Sequence, residues 1–387
     1  MSNQNDGQKK DAYTHLKHIL AILLVFTAVT AIGFIYTRDT VDKQKAALEA
    51  QRKEQNQALV DQHNQWLAEQ RAGHTGVVED ENWPEPQPEG WDIVDLSDYS
   101  VNAVMTQPFT REEMETAGLM VVNRWHYLPG DFNDDRFVGG DELVSIASTS
   151  RADGFSIQTK NASVSLMRPA YEALSKMLQA AKESGLEYIT IDEGYRTNET
   201  QNKLFMDAQA KYEDRYTGEV LIEKTREGVS VPGTSDFQTG LSVRVYRTKS
   251  GDSEFNSAPF RETEQFTWLY NHSWEHGYVF RFPLAGYPTE NTPDKSWKTG
   301  ISVQLMVFRY VGKGPAAVMH AKDFCLEEFV EYMVEHPHIA VFQNGELKYE
   351  LYRVADSGAA MNVDVTDCNE VTASIDNIGG VIVSLAY

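Results

Sequence analysis

Apolar and polar positions alternate very differently in successive stretches of the chain. Ile19 to Tyr36 is a run of 18 residues without a charge, close to the roughly 20 that a helix needs to cross a bilayer. It predicts one transmembrane helix at 19–36 behind a short tail at 1–18 that carries Lys9, Lys10 and Lys17. Val29-Thr30-Ala31 also fits the cleavage site of a signal peptide, but apolar character continues through Phe34 and Ile35, and that length favours an anchor. Basic residues flank both ends, so charge alone leaves the orientation open. We place the short tail in the cytoplasm and the main domain outside. Thr40 to Ala72 contains neither Pro nor Gly and predicts a helical stalk over 37–72. Val41, Leu48, Leu59 and Trp66 fit a heptad only in part, because Arg52, Gln55 and Gln62 interrupt the seam; a homodimer through the stalk and a lone solvated helix both stay open. Glu79-Asp80-Glu81 and the prolines at 84, 86 and 88 then predict an extended linker over 73–106.

Beyond the linker, helical and strand periodicities mix. Met120 to Asn123 and Tyr188 to Ile191 predict strands, and Ser165 to Ser184 an amphipathic helix closed by Gly185. Thr197 to Glu213 predicts a helix with Asn198 and Gln201 spaced like a capping box, and Glu262 to His276 another, stopped by Gly277. Tyr278 to Phe282 and Val303 to Val311 predict strands; from about Ala340, Leu347 to Val354 and Val381 to Leu385 do the same. The mixed order implies an α+β domain at 107–335 with a β-rich C-terminal appendage at 336–387. No internal repeat is visible.

Composition narrows the function. Against 57 acidic residues stand 35 basic ones, a net charge of -22 in 387 residues. A surface that negative repels phosphate backbones, which excludes nucleic acid as a partner. The two cysteines, Cys325 and Cys368, rule out a disulfide lattice or a multi-thiolate metal site and leave one bridge or two free thiols.

Four blocks follow in order: Gly194-Tyr195-Arg196-Thr197 with Gln201 and Leu204-Phe205; Pro232-Gly233-Thr234-Ser235-Asp236-Phe237-Gln238-Thr239-Gly240-Leu241-Ser242-Val243-Arg244; Gly277-Tyr278-Val279-Phe280-Arg281-Phe282-Pro283; and Thr299-Gly300-Ile301 through Gln304-Leu305-Met306-Val307-Phe308-Arg309-Tyr310-Val311-Gly312. Together they resemble the D-alanyl-D-alanine carboxypeptidase family related to VanY, zinc peptidases of the bacterial cell wall, over residues 115 to 335. The run from Ala373 to Gly380 is similar to a C-terminal extension of some members. The resemblance implies a DD-peptidase-like core, mixed helices around a small antiparallel sheet, in an extracytoplasmic domain held to the bacterial membrane by one helix.

It also implies a zinc site that this chain does not keep. The family pattern Ser-x-His-x-x-Gly-x-x-x-Asp places its first ligand at Phe237 and its second at Arg244. The pattern Glu-Pro-Trp-His places the third ligand at Val307 and the general base at Gln304. Phe and Val have no lone pair to give a metal. A guanidinium stays protonated and repels a dication, and an amide cannot take a proton from water near neutral pH. No zinc or other cofactor is therefore expected. Arg196 and Gln201 stand where the family contacts the peptide, and Ser235 keeps its place; with Arg244 they are the candidate binding residues, since guanidinium geometry suits a terminal carboxylate. Arg244 could instead pair with Asp236 or another buried carboxylate, or reach solvent, and Arg196 and Gln201 could simply tie a strand to a helix.

Weaker signals carry little. His272 and His276 have helical i, i+4 spacing but stand at no ligand position of the family. Asp131 to Asp135 with Glu142 has the spacing of a calcium loop, yet Arg136 occupies the position that needs Gly. The sequons at Asn161, Asn198 and Asn271 mean little in a bacterial protein. The expectation is a non-catalytic, membrane-tethered wall protein that binds peptidoglycan stem peptides or a cell-wall protein. The alternatives are an active D,D- or L,D-carboxypeptidase using displaced ligands such as His272, His276 and His320, and a scaffold whose cleft is closed.

Overall fold

The computed structural model describes residues 90–130 and 136–387, with four isolated positions before residue 90. The expected tail, membrane helix and stalk, and the core of the calcium-like loop at 131–135, lie outside the described residues. Among the described residues no helix is long and apolar enough to cross a membrane.

Two five-stranded sheets organise the unit that runs from Val78 to Tyr387. The first, which carries the site and is called here the site sheet, has the order Gln158–Thr159, Ile189–Glu193, Ser242–Arg247, Val307–Tyr310, Tyr278–Phe280. Its first pair is parallel and the others antiparallel. The helix Arg168–Glu183 covers it: Leu174, Met177 and Leu178 recur at helical spacing and pack in one cluster with Ile191, Val243, Val245 and Phe308 from the strands. The second, terminal sheet has the order Trp91–Asp95, His338–Gln343, Glu346–Ala355, Gly380–Ala386, Glu370–Ile375, antiparallel throughout.

The C-terminal strands are not an appendage. Val381, Val383 and Leu385 join the cluster of the site sheet, whereas Ile382 on the opposite face joins a second cluster with the helices Lys313–Lys322 and Leu326–Glu335. A strand buried on both faces reads as a continuous apolar run, as Val381-Ile382-Val383 does. The linker expected over 73–106 also ends early, because Trp91–Asp95 pairs along its whole length with His338–Gln343, and Met105–Phe109 pairs with Met361–Val365. The boundary at 107 therefore cuts through a paired strand, and the one at 336 sets apart strands that share the core of the site sheet.

Local expectations shift in smaller ways. Ser165–Met167 forms a short strand before its helix starts at Arg168. The helix Asn198–Gln209 is capped by Thr197, whose side chain accepts from Thr200 N; Gln201 is turned inward and is not part of a capping box. The helix Glu264–His272 tightens into a 3-10 turn at Ser273–His276 before Gly277, whose φ of 81° needs a residue without a Cβ. Met120–Asn123 is not a strand. Its backbone is held by groups outside any ladder: Arg309 Nη2 donates to the carbonyls of Gly118 and Met120, and Asn377 Nδ2 to that of Val121.

One buried histidine in the terminal sheet makes stability depend on pH. His338 is 2.7 Å from the Tyr99 carbonyl through Nδ1 and 2.7 Å from Glu350 Oε1 through Nε2. Both partners are acceptors, so the pair favours an imidazolium with a proton on each nitrogen. The bond to Glu350 raises the His338 pKa, and burial opposes it. A folded-state pKa above the unfolded one means that this stabilisation is complete below about pH 6.5 and is lost as pH rises through the folded value. Urea unfolding at pH 6 and pH 8 should show the intact chain losing stability over that interval and His338→Gln losing less; equal slopes for the two contradict the assignment.

Candidate functional site

Strand register brings the positions singled out in the sequence together. Glu193 stands opposite Arg244, and Arg244 opposite Val307, across three adjacent strands. The 3-10 turn Asp236–Thr239 then delivers Phe237 to the same place. That turn closes at Gly240, φ 69°, where an added Cβ would lie 2.8 Å from Met167 Cγ, so only glycine fits.

Phe237 is 3% exposed and Val307 fully buried; with Phe282 and Ile301 they form a separate apolar cluster, edged by Val303 and Leu305. The Phe237 ring is flanked by two cations, with the Arg196 guanidinium 4.1 Å and that of Arg244 5.4 Å from its centroid. Glu193 holds both. Arg196 donates to it twice at 2.6 Å through Nε and Nη2, and Arg244 Nη2 lies 3.2 Å from Glu193 Oε2. Asp192 adds a longer ion pair to Arg244 at 3.7 Å. Arg196 Nη1 also donates to Gln201 Oε1 at 2.9 Å, and Gln201 Nε2 donates to the Ser230 carbonyl at 2.7 Å. Arg196 and Gln201 thus do tie strand to helix, and Arg244 makes internal ion pairs with Asp192 and Glu193. Ser235 is buried at the start of the 3-10 turn, and Gln304 is exposed in the irregular segment before the last site strand.

Chemically, a phenyl ring, an isopropyl group and a paired guanidinium do not fit a zinc ion. The histidines offered as displaced ligands are engaged separately. His272 is 3.0 Å from Glu275 and packs on Trp268, as does His276, whereas His320 stacks on Trp274 at 4.7 Å. Among the described residues no three His, Cys, Asp or Glu side chains converge on a point that could hold a metal. Cys325 is a buried free thiol and Cys368 a half-buried one.

Asp236 does not meet Arg244. It sits at the centre of a buried ionic network that the sequence reading missed. Asp236 Oδ1 accepts from Arg281 Nε at 3.1 Å and Arg309 Nη1 at 2.9 Å, and its other oxygen accepts from Ser242 Oγ. Arg281 turns its remaining nitrogens to Glu327 at 2.7 and 2.8 Å, and Asn123 Nδ2 donates to Glu327 at 3.0 Å. Two carboxylates balance two guanidiniums, so the buried charges cancel. Burial alone would raise both carboxyls. Arg309 and Arg281 outweigh it at Asp236, and Arg281 outweighs it at Glu327, so both are held below the usual range. Arg281 and Arg309 interrupt otherwise apolar strand runs, and that interruption was the available signal.

Removing one member of such a network leaves the others uncompensated. Asp236→Asn should therefore cost about 3–5 kcal/mol in urea unfolding near neutral pH. Because both folded carboxyl pKa values are depressed, the stabilisation is present above the unfolded value near pH 4 and is lost as pH falls through the folded values. A loss below about 1 kcal/mol for Asp236→Asn contradicts this picture.

Comparison with known proteins follows the same stretch of chain. Residues 163–300 match the family model described as VanY, D-alanyl-D-alanine carboxypeptidase. A D-alanyl-D-alanine carboxypeptidase of Enterococcus faecium is 27% identical over 247 residues, 63% of this chain and 66% of the relative. The putative carboxypeptidase YodJ of Bacillus subtilis (strain 168) is 28% identical over 213 residues, 55% of this chain and 67% of the relative. The chain thus spans just under two thirds of the length of the first of these. Among solved structures, the vancomycin resistance D,D-dipeptidase VanXYg is similar in fold, with a TM-score of 0.54 at 22% identity, covering 73% of this chain and 99% of that one. Residues 163–300 are thus similar to the VanY-related family of D-alanyl-D-alanine carboxypeptidases.

Proposed function

We propose that this chain is a catalytically inactive, carboxypeptidase-like protein of the bacterial cell wall that acts by binding, tethered to the membrane by the apolar segment 19–36 with its folded domain outside. One observation carries the loss of catalysis: Phe237 and Val307 are buried against each other where the family resemblance places two histidine ligands. Arg244, at the aspartate ligand position, adds a fixed positive charge held by Asp192 and Glu193. Gln304, at the position of the base, cannot take up a proton. Each exchange alone would impair a zinc hydrolase, and together they remove both metal and base.

The binding partner we favour is a peptidoglycan stem peptide or a wall protein. The Enterococcus faecium relative is named for action on D-alanyl-D-alanine, and Arg196, Gln201 and Ser235 keep the family's peptide-side residue types. A second reading, a scaffold with a closed cleft, is favoured by Glu193, which already occupies the guanidiniums of Arg196 and Arg244.

Purified ectodomain incubated with a D-alanine-terminated muropeptide should release no D-alanine, with or without added zinc; hydrolysis abolished by EDTA and restored by zinc overturns the proposal. Muropeptide binding by calorimetry then separates the two readings. Recognition through the old cleft expects Arg196→Ala to weaken binding and Glu193→Gln, which frees both guanidiniums, to strengthen it. A closed scaffold expects no binding by any of the three proteins.

A further inference from the structure

The helix Gly218–Arg226 ends beside a recess lined by residues from the segments 122–127, 226–236 and 282–301, with room for about one water-sized particle. Arg196, Gln201 and Arg244 are not part of its wall, so it is separate from the old cleft. Arg226 and Arg124 both line it. Arg226 is 6% exposed, and its Nε and Nη1 make no hydrogen bond among the described residues. Nη1 lies 2.9 Å from Glu223 Oε1 but outside hydrogen-bonding geometry. Arg124 Nη2 takes the other Glu223 oxygen at 2.5 Å, and Arg124 Nε is likewise buried without an acceptor.

The charges around these donors do not cancel. The titratable groups that act on Arg226 are Glu223, Arg124 and the phenol of Tyr127, which burial pushes up to about 12 and so keeps neutral. Two guanidiniums thus share one carboxylate. Glu223 is itself 45% exposed, so solvent weakens its hold on both. Asp236, the remaining acid on the wall, is consumed by Arg281, Arg309 and Ser242. One positive charge and three buried donor nitrogens are left over, an arrangement that is unfavourable until an acceptor meets it.

Size and charge together choose that acceptor. A water molecule fits the space, but it brings no charge and accepts only two hydrogen bonds. Carboxylate, sulfate and phosphate bring charge, but each carries several heavy atoms into a space that admits one. A halide is a single sphere a little larger than water, carries one negative charge and accepts from any direction. Chloride also gives up its hydration more readily than fluoride. We propose that this recess is a chloride site, the ion held by Arg226 and Arg124 with the Tyr127 hydroxyl as a further donor. The bound ion joins the end of the helix Gly218–Arg226 to the segment 122–127 and completes the charge balance next to the turn at Asp236.

Two measurements on the full chain test it. In chlorine NMR, exchange with a site on the slowly tumbling protein should broaden the chloride line; bromide should reverse the broadening by competition, and sulfate at equal ionic strength should not. Arg226→Met leaves Arg124 and Glu223 as a neutral pair and should weaken chloride at least about tenfold. Crystals soaked in sodium bromide should show an anomalous peak against Arg226 and Arg124, a result that stands even if the variant fails to fold. Absence of that peak, reversal of the broadening by sulfate as well as bromide, or unchanged chloride affinity in a folded Arg226→Met overturns the proposal. A bromide peak with no chloride broadening in solution means binding at crystal concentration only, and overturns it too. None of these outcomes bears on muropeptide binding, because Arg196 and Arg244 lie outside the recess.

Discussion

The structure depends on how one buried aspartate is neutralised. Asp236 opens the 3-10 turn that carries Phe237, and it is fixed by guanidiniums arriving from two neighbouring segments, Arg281 just after the edge strand Tyr278–Phe280 and Arg309 within the strand Val307–Tyr310. Arg281 extends the same charge balance to Glu327 on the helix Leu326–Glu335, and Arg309 extends it to the carbonyls of Gly118 and Met120. Site sheet, the segment 118–120 and the helix Leu326–Glu335 are thereby locked to one carboxylate. The geometry of the site follows from that lock.

With the turn fixed, Phe237 can only point into the gap between Arg196 and Arg244. A ring there does two things. It fills space that would otherwise be a cavity, joining Val307, Phe282 and Ile301 in a dry cluster. It also offers its face to both guanidiniums, while Glu193 supplies their counter-charge. Aromatic, cation and carboxylate thus complement one another in a single cluster. Arg226 and Arg124, on another part of the domain, share the single carboxylate of Glu223.

Much of this was legible in the residues. The order of the four blocks located the site sheet, and helical periodicity located the long helix at 168–183, because both depend on short-range spacing. The pairing of Trp91–Asp95 with His338–Gln343 was not legible, since register between strands so far apart in sequence leaves no local pattern. Met120–Asn123 has the composition of a strand, but side chains of Arg309 and Asn377 claim its carbonyls, and only the folded chain brings them there. At the site, residue types alone said what could not bind a metal. They did not say that Arg244 would turn to Asp192 and Glu193 while Asp236 turned away from it. A sequence lists charges, and burial decides which of them meet.

The most direct test of the central claim is anomalous scattering at the zinc edge from crystals of the ectodomain grown with excess zinc. The account predicts no anomalous peak among Phe237, Arg244, Gln304 and Val307, and an ordered Phe237 ring between the two guanidiniums. A zinc peak at that place, with the ring displaced, would contradict it.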